Sequence, residues 1–474
     1  MKKKIILIFT AIALVAVLAS CLVACNKGYN WKSVGGGDAN AAVVSNGGYV
    51  VKQGNYLYFI NGYVGNAEDN SFGTPVKQAI VRVEIKDGKP DNGTAVVVAP
   101  KSVYNTSKKD GIAIYGEWIY YVTNNNDKDK TGTASTTDSD FMRTKIDGSV
   151  TQRIATINSR SVDYFFTPTR VWYYESNVLS YVDFSGMKTS GDITNGKGAV
   201  RGKLDATISS IVWDYAVDKI FYTRSVKDDN TSMTYNELCS IDLNGANDRV
   251  LATIGTYLAE GESANANPQK VFSFTLLDVC HEADGSATIY YTKTHKLNET
   301  KNDGLYMNKV ADAFSPANEK LLSTYSSTTL YPLGYAEGAL AYNSQSVYCW
   351  YNGEKDNSGN LVEPLQVTGG SMTIWFAKDG YAYYTSSSTA SALNKIRYNV
   401  AENANDPIIE EGMKIDWLPL DGVEDGDFVC SFFFATSDNN YLHYVNYATF
   451  DPTDEDAKST MIGIYLDNEK PKEK

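Results

Sequence analysis

The hydrophobic pattern of the chain is dominated by one recurring unit, a turn followed by a short apolar strand rich in tyrosine. The turns commonly contain Gly, Asn or Asp, and the runs that follow are built from aromatic and β-branched residues, which favour strands. Eight copies occur, and their apolar runs cover residues 56–60, 118–122, 171–174, 220–223, 288–292, 339–342, 381–385 and 441–445.

Each copy is flanked by further strand signals. A strand-like run such as residues 111–115 precedes most turns, and a second run with its own turn follows, as at residues 142–148 and 238–245. Two hairpins per copy make four antiparallel strands, and four strands at this spacing are typical of a β-propeller blade. A β-helix would need shorter and more regular rungs.

The pattern therefore predicts an all-β fold, a single β-propeller of four-stranded antiparallel blades. Eight blades are expected from eight copies. Seven is the alternative, if the sixth copy, around Leu340, shares a sheet with its neighbour. Packing such sheets face to face in a ring buries the apolar faces that one sheet alone leaves exposed.

The repeats resemble the YWTD-type propellers of lipoprotein-receptor-like proteins and, more closely, bacterial lipoproteins of unknown function that carry such a propeller. The resemblance implies a propeller over nearly the whole mature chain. The complete Tyr-Trp-Thr-Asp tetrad is absent and the copy number differs from the six blades of the receptors, so receptor-style ligand binding is not carried over. The resemblance rests on residues 119–122, 220–223, 289–292 and 383–385, with the downstream residues 146–148 and 241–245.

The start of the chain predicts export. Residues 1–4 are basic after the initial Met, residues 5–19 are almost entirely apolar, and small residues with cysteines close the run. This order is typical of a secretory signal. Residues 22–25, Leu-Val-Ala-Cys, resemble the bacterial lipobox. In that family the peptidase cuts immediately before the cysteine, and the cysteine thiol carries the lipid.

Lipidation is predicted at Cys25, because the polar chain begins immediately after it. Cys21 is the alternative lipidation site, since residues 18–21 fit the same pattern. An ordinary secretory signal with two incidental cysteines is the competing interpretation. A doubly acylated cysteine would hold the protein on a membrane, because each buried methylene contributes about 0.8 kcal/mol. The predicted location is the extracytoplasmic face of a bacterial cell membrane.

Four segments follow from these patterns. The predicted divisions are a signal peptide at 1–24, a lipidated cysteine with a flexible tether and a ring-closing strand at 25–47, the propeller at 48–467, and a charged tail at 468–474. The last copy lacks a fourth strand, and we expect residues 41–45 to supply it.

Charge and cysteine content narrow the classes of partner. The net charge of −13 argues against nucleic acid, because binding to phosphates needs a basic surface. Beyond the anchor, cysteines are too far apart in the chain for a zinc site and are expected to be free and buried. They are Cys239, Cys280, Cys349 and Cys430.

Candidate catalytic and metal-binding chemistry is sparse. The chain has three histidines, His281, His295 and His443, and the two in or beside strands, His281 and His443, are interpreted as packed side chains. No nucleophile elbow, phosphate loop or metalloprotease motif occurs, so neither a catalytic residue nor a cofactor is predicted. One segment matches calcium-loop positions but lacks the usual closing Glu and is interpreted as a solvated loop, so no metal is predicted. Its residues are Asp127, Asp129, Thr131, Gly132 and Asp138.

These observations predict a membrane-anchored, non-enzymatic binding or scaffold module for an envelope protein or glycan. Variable loops on a rigid ring suit recognition. Two alternatives remain open at this point: an envelope enzyme that acts on glycans through loop carboxylates, and an assembly factor for other envelope proteins.

Overall fold

A computed structural model describes the chain over many short ranges. These are residues 33–44, 46–48, 50–60, 79–87, 89–99, 103, 111–125, 137–159, 162–189, 196–215, 217–227, 234–255, 261–263, 265–266, 271–281, 285–295, 303–310, 313–323, 331–336, 339–344, 347–351, 357–358, 365–368, 372–378, 381–386, 389–399, 408–409, 413–414, 435–437, 442–445 and 464–467.

The first four sheets follow one another along the chain. The first contains β1 (Val43–Val44), β2 (Val50–Gln53), β3 (Tyr56–Ile60), β4 (Ile80–Lys86) and β5 (Lys89–Ala99). The second contains β6 (Ala113–Tyr115), β7 (Trp118–Asn124), β8 (Ser139–Lys145) and β9 (Thr151–Ile157). The third contains β10 (Asp163–Phe166), β11 (Arg170–Glu175), β12 (Val178–Asp183) and β13 (Val200–Lys203). The fourth contains β14 (Thr207–Val212), β15 (Lys219–Lys227), β16 (Thr234–Asp242) and β17 (Arg249–Ile254).

Four more sheets complete the described chain. The fifth contains β18 (Phe272–His281), β19 (Ala287–His295), β20 (Gly304–Val310) and β21 (Glu319–Ser323), with a short 3-10 turn at Pro316–Asn318. The sixth contains β22 (Tyr331–Ala336), β23 (Ala339–Ser344), β24 (Val347–Tyr351) and β25 (Leu365–Thr368). The seventh contains β26 (Met372–Lys378), β27 (Tyr381–Ser386), β28 (Thr389–Asn399), β29 (Ile408–Ile409) and β30 (Met413–Lys414). The eighth contains β31 (Ala435–Ser437), β32 (Leu442–Val445) and β33 (Ile464–Asp467).

The predicted all-β propeller of four-stranded antiparallel sheets is confirmed. Each tyrosine-rich run of the sequence is the second strand of its own sheet, or the third in the first sheet, where β1 precedes it. The sixth copy forms a sheet of its own, β22 to β25. No α-helix occurs among the described ranges, and none of their helices is long and apolar enough to cross a membrane.

From the fourth sheet to the seventh, successive sheets contact each other through their first strands. β14 lies close to β18, β18 to β22, and β22 to β26, and each of these is the first strand of its sheet. At the junction of the two chain ends, β2 of the first sheet lies close to β31 and β32 of the eighth. The last sheet therefore packs beside the first, as a closed propeller requires.

The predicted ring-closing strand is wrong in its pairing partner. Val43 and Val44 pair with Gln53 and Lys52 of β2 in the first sheet, rather than with the eighth sheet. The reason is local, because five residues separate β1 from β2 and Gly47 adopts a positive φ of 84° in that connection. A short turn with a left-handed glycine favours a hairpin over a distant pairing.

The interface between the second and third sheets shows how the core forms. Tyr120 and Phe141 from the second sheet pack against Tyr164 and Phe166 from the third, with Phe184 beyond the end of β12. The rings of Phe141 and Phe166 meet edge to face with centroids 5.9 Å apart. Aromatic pairs in this geometry contribute beyond the area that they bury. At this interface, the tyrosines Tyr120 and Tyr164 therefore pack between the sheets.

Candidate functional site

An open cavity lies between the second and third sheets, at the end where the hairpin turns cluster. Its volume is about 720 Å³. The β6–β7 turn, the β10–β11 turn and the segment after β12 form most of its wall. The lining residues are Val43, Asn46, Ile114, Tyr115, Gly116, Trp118, Tyr120, Arg143, Pro168, Thr169, Phe184, Ser185, Met187 and Thr189.

A guanidinium between aromatic rings forms the wall of this cavity. The Arg143 guanidinium carbon lies 4.3 Å from the ring centroid of Trp118 and 5.8 Å from that of Phe184. The rings of Tyr120 and Phe184 stack with centroids 5.4 Å apart. Cations over aromatic faces at these distances are attracted to the ring quadrupole. The arrangement gives the cavity both a flat apolar surface and a positive charge.

The charge of Arg143 has neutral partners. Its Nε donates to Oε1 of Gln152 at 2.7 Å, and its Nη2 donates to the carbonyl oxygen of Lys188 at 3.0 Å. Arg143 is only 4 % exposed, and no carboxylate among the described residues pairs with it. A buried charge is costly unless polar groups compensate it. A ligand that brings acceptor oxygens to Arg143 would add to that compensation.

The two tyrosines of the cavity remain protonated at neutral pH. Burial raises the pKa of Tyr120 to about 12, although the neighbouring Arg143 opposes the rise. Burial likewise raises the pKa of Tyr115 above its ordinary range, and its hydroxyl donates to the carbonyl oxygen of Phe166 at 2.9 Å. Both phenols therefore serve as hydrogen-bonding and stacking groups rather than as bases.

The turns that carry the lining residues are built by local hydrogen bonds. Gly116 has φ of 58°, which a glycine adopts without strain, and it turns the chain from β6 to β7. At the end of β12, Oδ1 of Asp183 accepts from both N and Oγ of Ser185. The Phe184 N–H donates to the carbonyl oxygen of Thr169 at 2.8 Å, which directs the Phe184 ring toward Tyr120.

A second polar cluster lies on one face of the fifth sheet. The Tyr291 hydroxyl donates to Oε2 of Glu319 at 2.6 Å, and Nζ of Lys293 contacts the other oxygen of that carboxylate. Nearby, Nδ1 of His295 lies 2.7 Å from Oδ1 of Asp303, and both side chains are buried. These groups satisfy one another between packed sheets, which is what a structural polar network does.

The predicted site residues fall mostly outside the described part of the chain. Cys25 and Cys21 lie there, and so do all the calcium-like positions except Asp138. Among the described residues, no cluster of His, Cys, Asp or Glu could hold a metal ion. Cys239 is free and buried, as expected, and burial raises the pKa of its thiol to about 12.

Sequence reasoning did not single out Arg143 or Phe184. Arg143 lies on β8 opposite Tyr120, whereas Phe184 comes from the next sheet, so their contact depends on how two sheets meet. One signal was present in the sequence. Arg82 in the first copy stands in the same register to Tyr58 as Arg143 does to Tyr120, and a repeated arginine in an apolar strand marks a special position.

Comparison with known proteins supports no assignment to a family. No family model and no curated protein matches the sequence. Solved structures that resemble the chain include the β-propeller domain of the Trilobed protease from Pyrococcus furiosus, with 8% identity and a TM-score of 0.36, covering 75% of this chain and 93% of that one. Another is Kluyveromyces lactis Hsv2, with 8% identity and a TM-score of 0.38, covering 79% and 99%. A third is the WD40 domain of Toxoplasma gondii coronin, with 10% identity and a TM-score of 0.33, covering 94% and 86%.

Proposed function

We propose that this protein is a non-enzymatic binding module, held by a lipid at Cys25 on the extracytoplasmic face of a bacterial membrane, and that it recognises an envelope protein or glycan. The single observation that carries the proposal is the cavity of about 720 Å³ between the second and third sheets. Its size falls in the range of ligand pockets in proteins, and its wall combines aromatic rings with a few polar groups.

The chemistry of the wall suits recognition better than catalysis. Trp118, Phe184 and Met187 offer apolar contact area, while Arg143 and Ser185 offer a donor and polar backbone groups. Stacked rings beside an arginine are common at binding hot spots, because they desolvate well and lose little conformational entropy. The buried tyrosines, protonated at neutral pH, complete a surface that stacks and hydrogen-bonds.

Blocking the cavity tests the proposal. Thr189 is an exposed lining residue, so Thr189→Trp should fill the cavity mouth without disturbing the core. A panel of envelope glycans and proteins is first screened by surface plasmon resonance for a ligand that binds the unmodified chain. We expect Thr189→Trp to bind that ligand at least tenfold more weakly. The matched control is Val200→Trp, because Val200 is 65 % exposed on β13 and does not line the cavity. Equal binding by both variants would reject the cavity as the site.

The anchor is tested separately. Cys25→Ala should release the protein into the culture medium, whereas Cys21→Ala should leave it with the membrane fraction. Release by Cys21→Ala alone would show that Cys21 carries the lipid. Retention of both variants on the membrane would reject lipid anchoring.

A further inference from the structure

The cavity has a counterpart between the first and second sheets. In the first sheet Tyr58 stands opposite Arg82 across β3 and β4, and in the second sheet Tyr120 stands opposite Arg143 across β7 and β8. Both arginines are almost fully buried. The two strand pairs are therefore equivalent, position by position, in consecutive copies of the repeat.

The facing walls of the two clefts are equivalent as well. The Ile146 N–H donates to the carbonyl oxygen of Glu117 at 2.9 Å, as the Phe184 N–H does to Thr169 at 2.8 Å. In the first cleft Nη1 of Arg82 donates to the Ile146 carbonyl oxygen at 3.1 Å. In the second cleft the Phe184 ring faces Arg143. Ile146 and Phe184 thus hold the same position in their sheets.

The first cleft is occupied by the chain itself. A Cβ atom on Gly36 would lie 2.8 Å from Nη2 of Arg82, and one on Gly37 would lie 2.8 Å from Cδ1 of Ile146 and 3.2 Å from the Tyr58 hydroxyl. The backbone of this glycine pair therefore lies so close to the three side chains that define the cleft that there is no room for a Cβ atom. Residues 33–40, expected to be a flexible tether, lie in part against the ring.

A main-chain hydrogen bond fixes the bound segment. The Val34 N–H donates to the carbonyl oxygen of Asp147 at 2.7 Å, and the Ser33 hydroxyl donates to the Asp147 carboxylate at 2.9 Å. Asp147 follows Ile146 in the chain, just as Ser185 follows Phe184. Ser185 therefore provides the equivalent carbonyl oxygen in the second cleft.

The second cleft is open where the first is filled. The residues equivalent to all four contacts of the bound segment line the cavity, namely Tyr120, Arg143, Phe184 and Ser185. We propose that the cavity binds a glycine-containing peptide segment of a partner protein, seated as residues 33–37 are seated in the first cleft. This inference rests on the proposed binding function and names its ligand class.

The bound segment also indicates what the ligand needs. Gly35, Gly36 and Gly37 have φ of 66°, 69° and 91°, a left-handed backbone that other residues rarely adopt. A guanidinium carries five N–H donors, and the bonds of Arg143 to Gln152 and Lys188 use two of them. Donors remain for Tyr120 and for a carbonyl oxygen of the peptide, while Ser185 accepts from a peptide N–H.

The test uses a peptide with the sequence of residues 33–41, labelled with a fluorophore, and the full mature chain. We expect saturable binding in fluorescence anisotropy, weakened at least tenfold by Thr189→Trp and by Arg143→Gln. The matched control is Val200→Trp, which lies outside both clefts and should leave the affinity unchanged. Arg82→Gln is measured beside it to detect exchange of the peptide at the first cleft. The peptide carrying Gly36→Ala and Gly37→Ala should bind at least tenfold more weakly, because the added Cβ atoms meet the guanidinium and the facing side chain.

Several results would overturn the inference. They are no saturable binding of the peptide up to millimolar concentration, binding that Thr189→Trp leaves intact, and binding lost only in Arg82→Gln, which would mark exchange at the first cleft. If a glycan binds, Thr189→Trp weakens that binding and the peptide does not bind, the peptide inference fails while the proposed binding module stands. If no ligand depends on the cavity, both fail.

Discussion

Asp140 is the most completely buried carboxylate in the described second sheet. It accepts from Nδ2 of Asn125 at 2.9 Å and from Oγ1 of Thr156 at 2.6 Å, and it forms an ion pair with Nε of Arg153 at 2.9 Å. Asn125 follows β7, whereas Arg153 and Thr156 both lie on β9, so the Asp140 side chain on β8 joins the loop after β7 to β9. The ion pair with Arg153 compensates a negative charge that would be costly to bury alone.

Removal of this carboxylate should be costly. Asp140→Ala leaves the Arg153 guanidinium without its counter-ion, and breaking a buried ion pair costs about 3 kcal/mol or more. The change should appear as a lower midpoint of urea unfolding. The matched control is Glu117→Gln, which breaks the half-exposed pair with Lys145 and should cost about 1 kcal/mol or less. Equal losses in the two variants would contradict the assigned role of Asp140.

At the scale of the element, the repeat was predictable and the cleft was not. Strands such as β7 and β19 follow from runs of aromatic and β-branched residues after a turn, because that chemistry is local in sequence. The contact of Arg143 with Phe184 joins two sheets, and nothing local specifies which faces meet. The pairing of β1 was mispredicted for a different reason, because the short connection to β2 with its left-handed Gly47 favours a local hairpin over the eighth sheet.

The connection between β1 and β2 also joins the first two sheets. The Asn46 side-chain amide makes the two hydrogen bonds to Ile114 that the backbone of a neighbouring strand would make. Its Oδ1 accepts from the Ile114 N–H at 2.7 Å, and its Nδ2 donates to the Ile114 carbonyl oxygen at 3.1 Å. Next to it, Gly47 and Gly48 exchange backbone hydrogen bonds with Ile112. The inner edge of β6 is therefore covered by the first sheet.

Loss of the Asn46 amide should weaken this junction. Asn46→Ala removes both hydrogen bonds to Ile114 and leaves the N–H of a buried strand residue unpaired, which costs about 1–3 kcal/mol. Asn46→Asp keeps the acceptor but loses the donor, so we expect an intermediate loss. Thermal unfolding measured by circular dichroism provides the comparison. A chain that tolerates Asn46→Ala without any change in melting temperature would show that the junction does not depend on this side chain.

On the scale of the whole molecule, the burial of tyrosines makes the stability of the folded chain depend on pH. Burial raises the pKa of Tyr58, Tyr120 and Tyr306 to about 12, against about 10 in an unfolded chain, although Arg82 and Arg143 oppose the first two shifts. These residues belong to the first, second and fifth sheets. The effect is therefore distributed around the ring rather than confined to one blade.

The folded protein should consequently unfold cooperatively in alkali. Below about pH 10 the phenols are protonated in both states and their contribution is fully present; as the pH rises toward 12, only the unfolded chain ionises, so stability is lost. We expect tyrosinate absorbance and loss of sheet circular dichroism to change together above pH 10. The same chain in denaturant should ionise near pH 10 without a cooperative step. Gradual ionisation near pH 10 with the sheets intact would contradict the burial of these tyrosines.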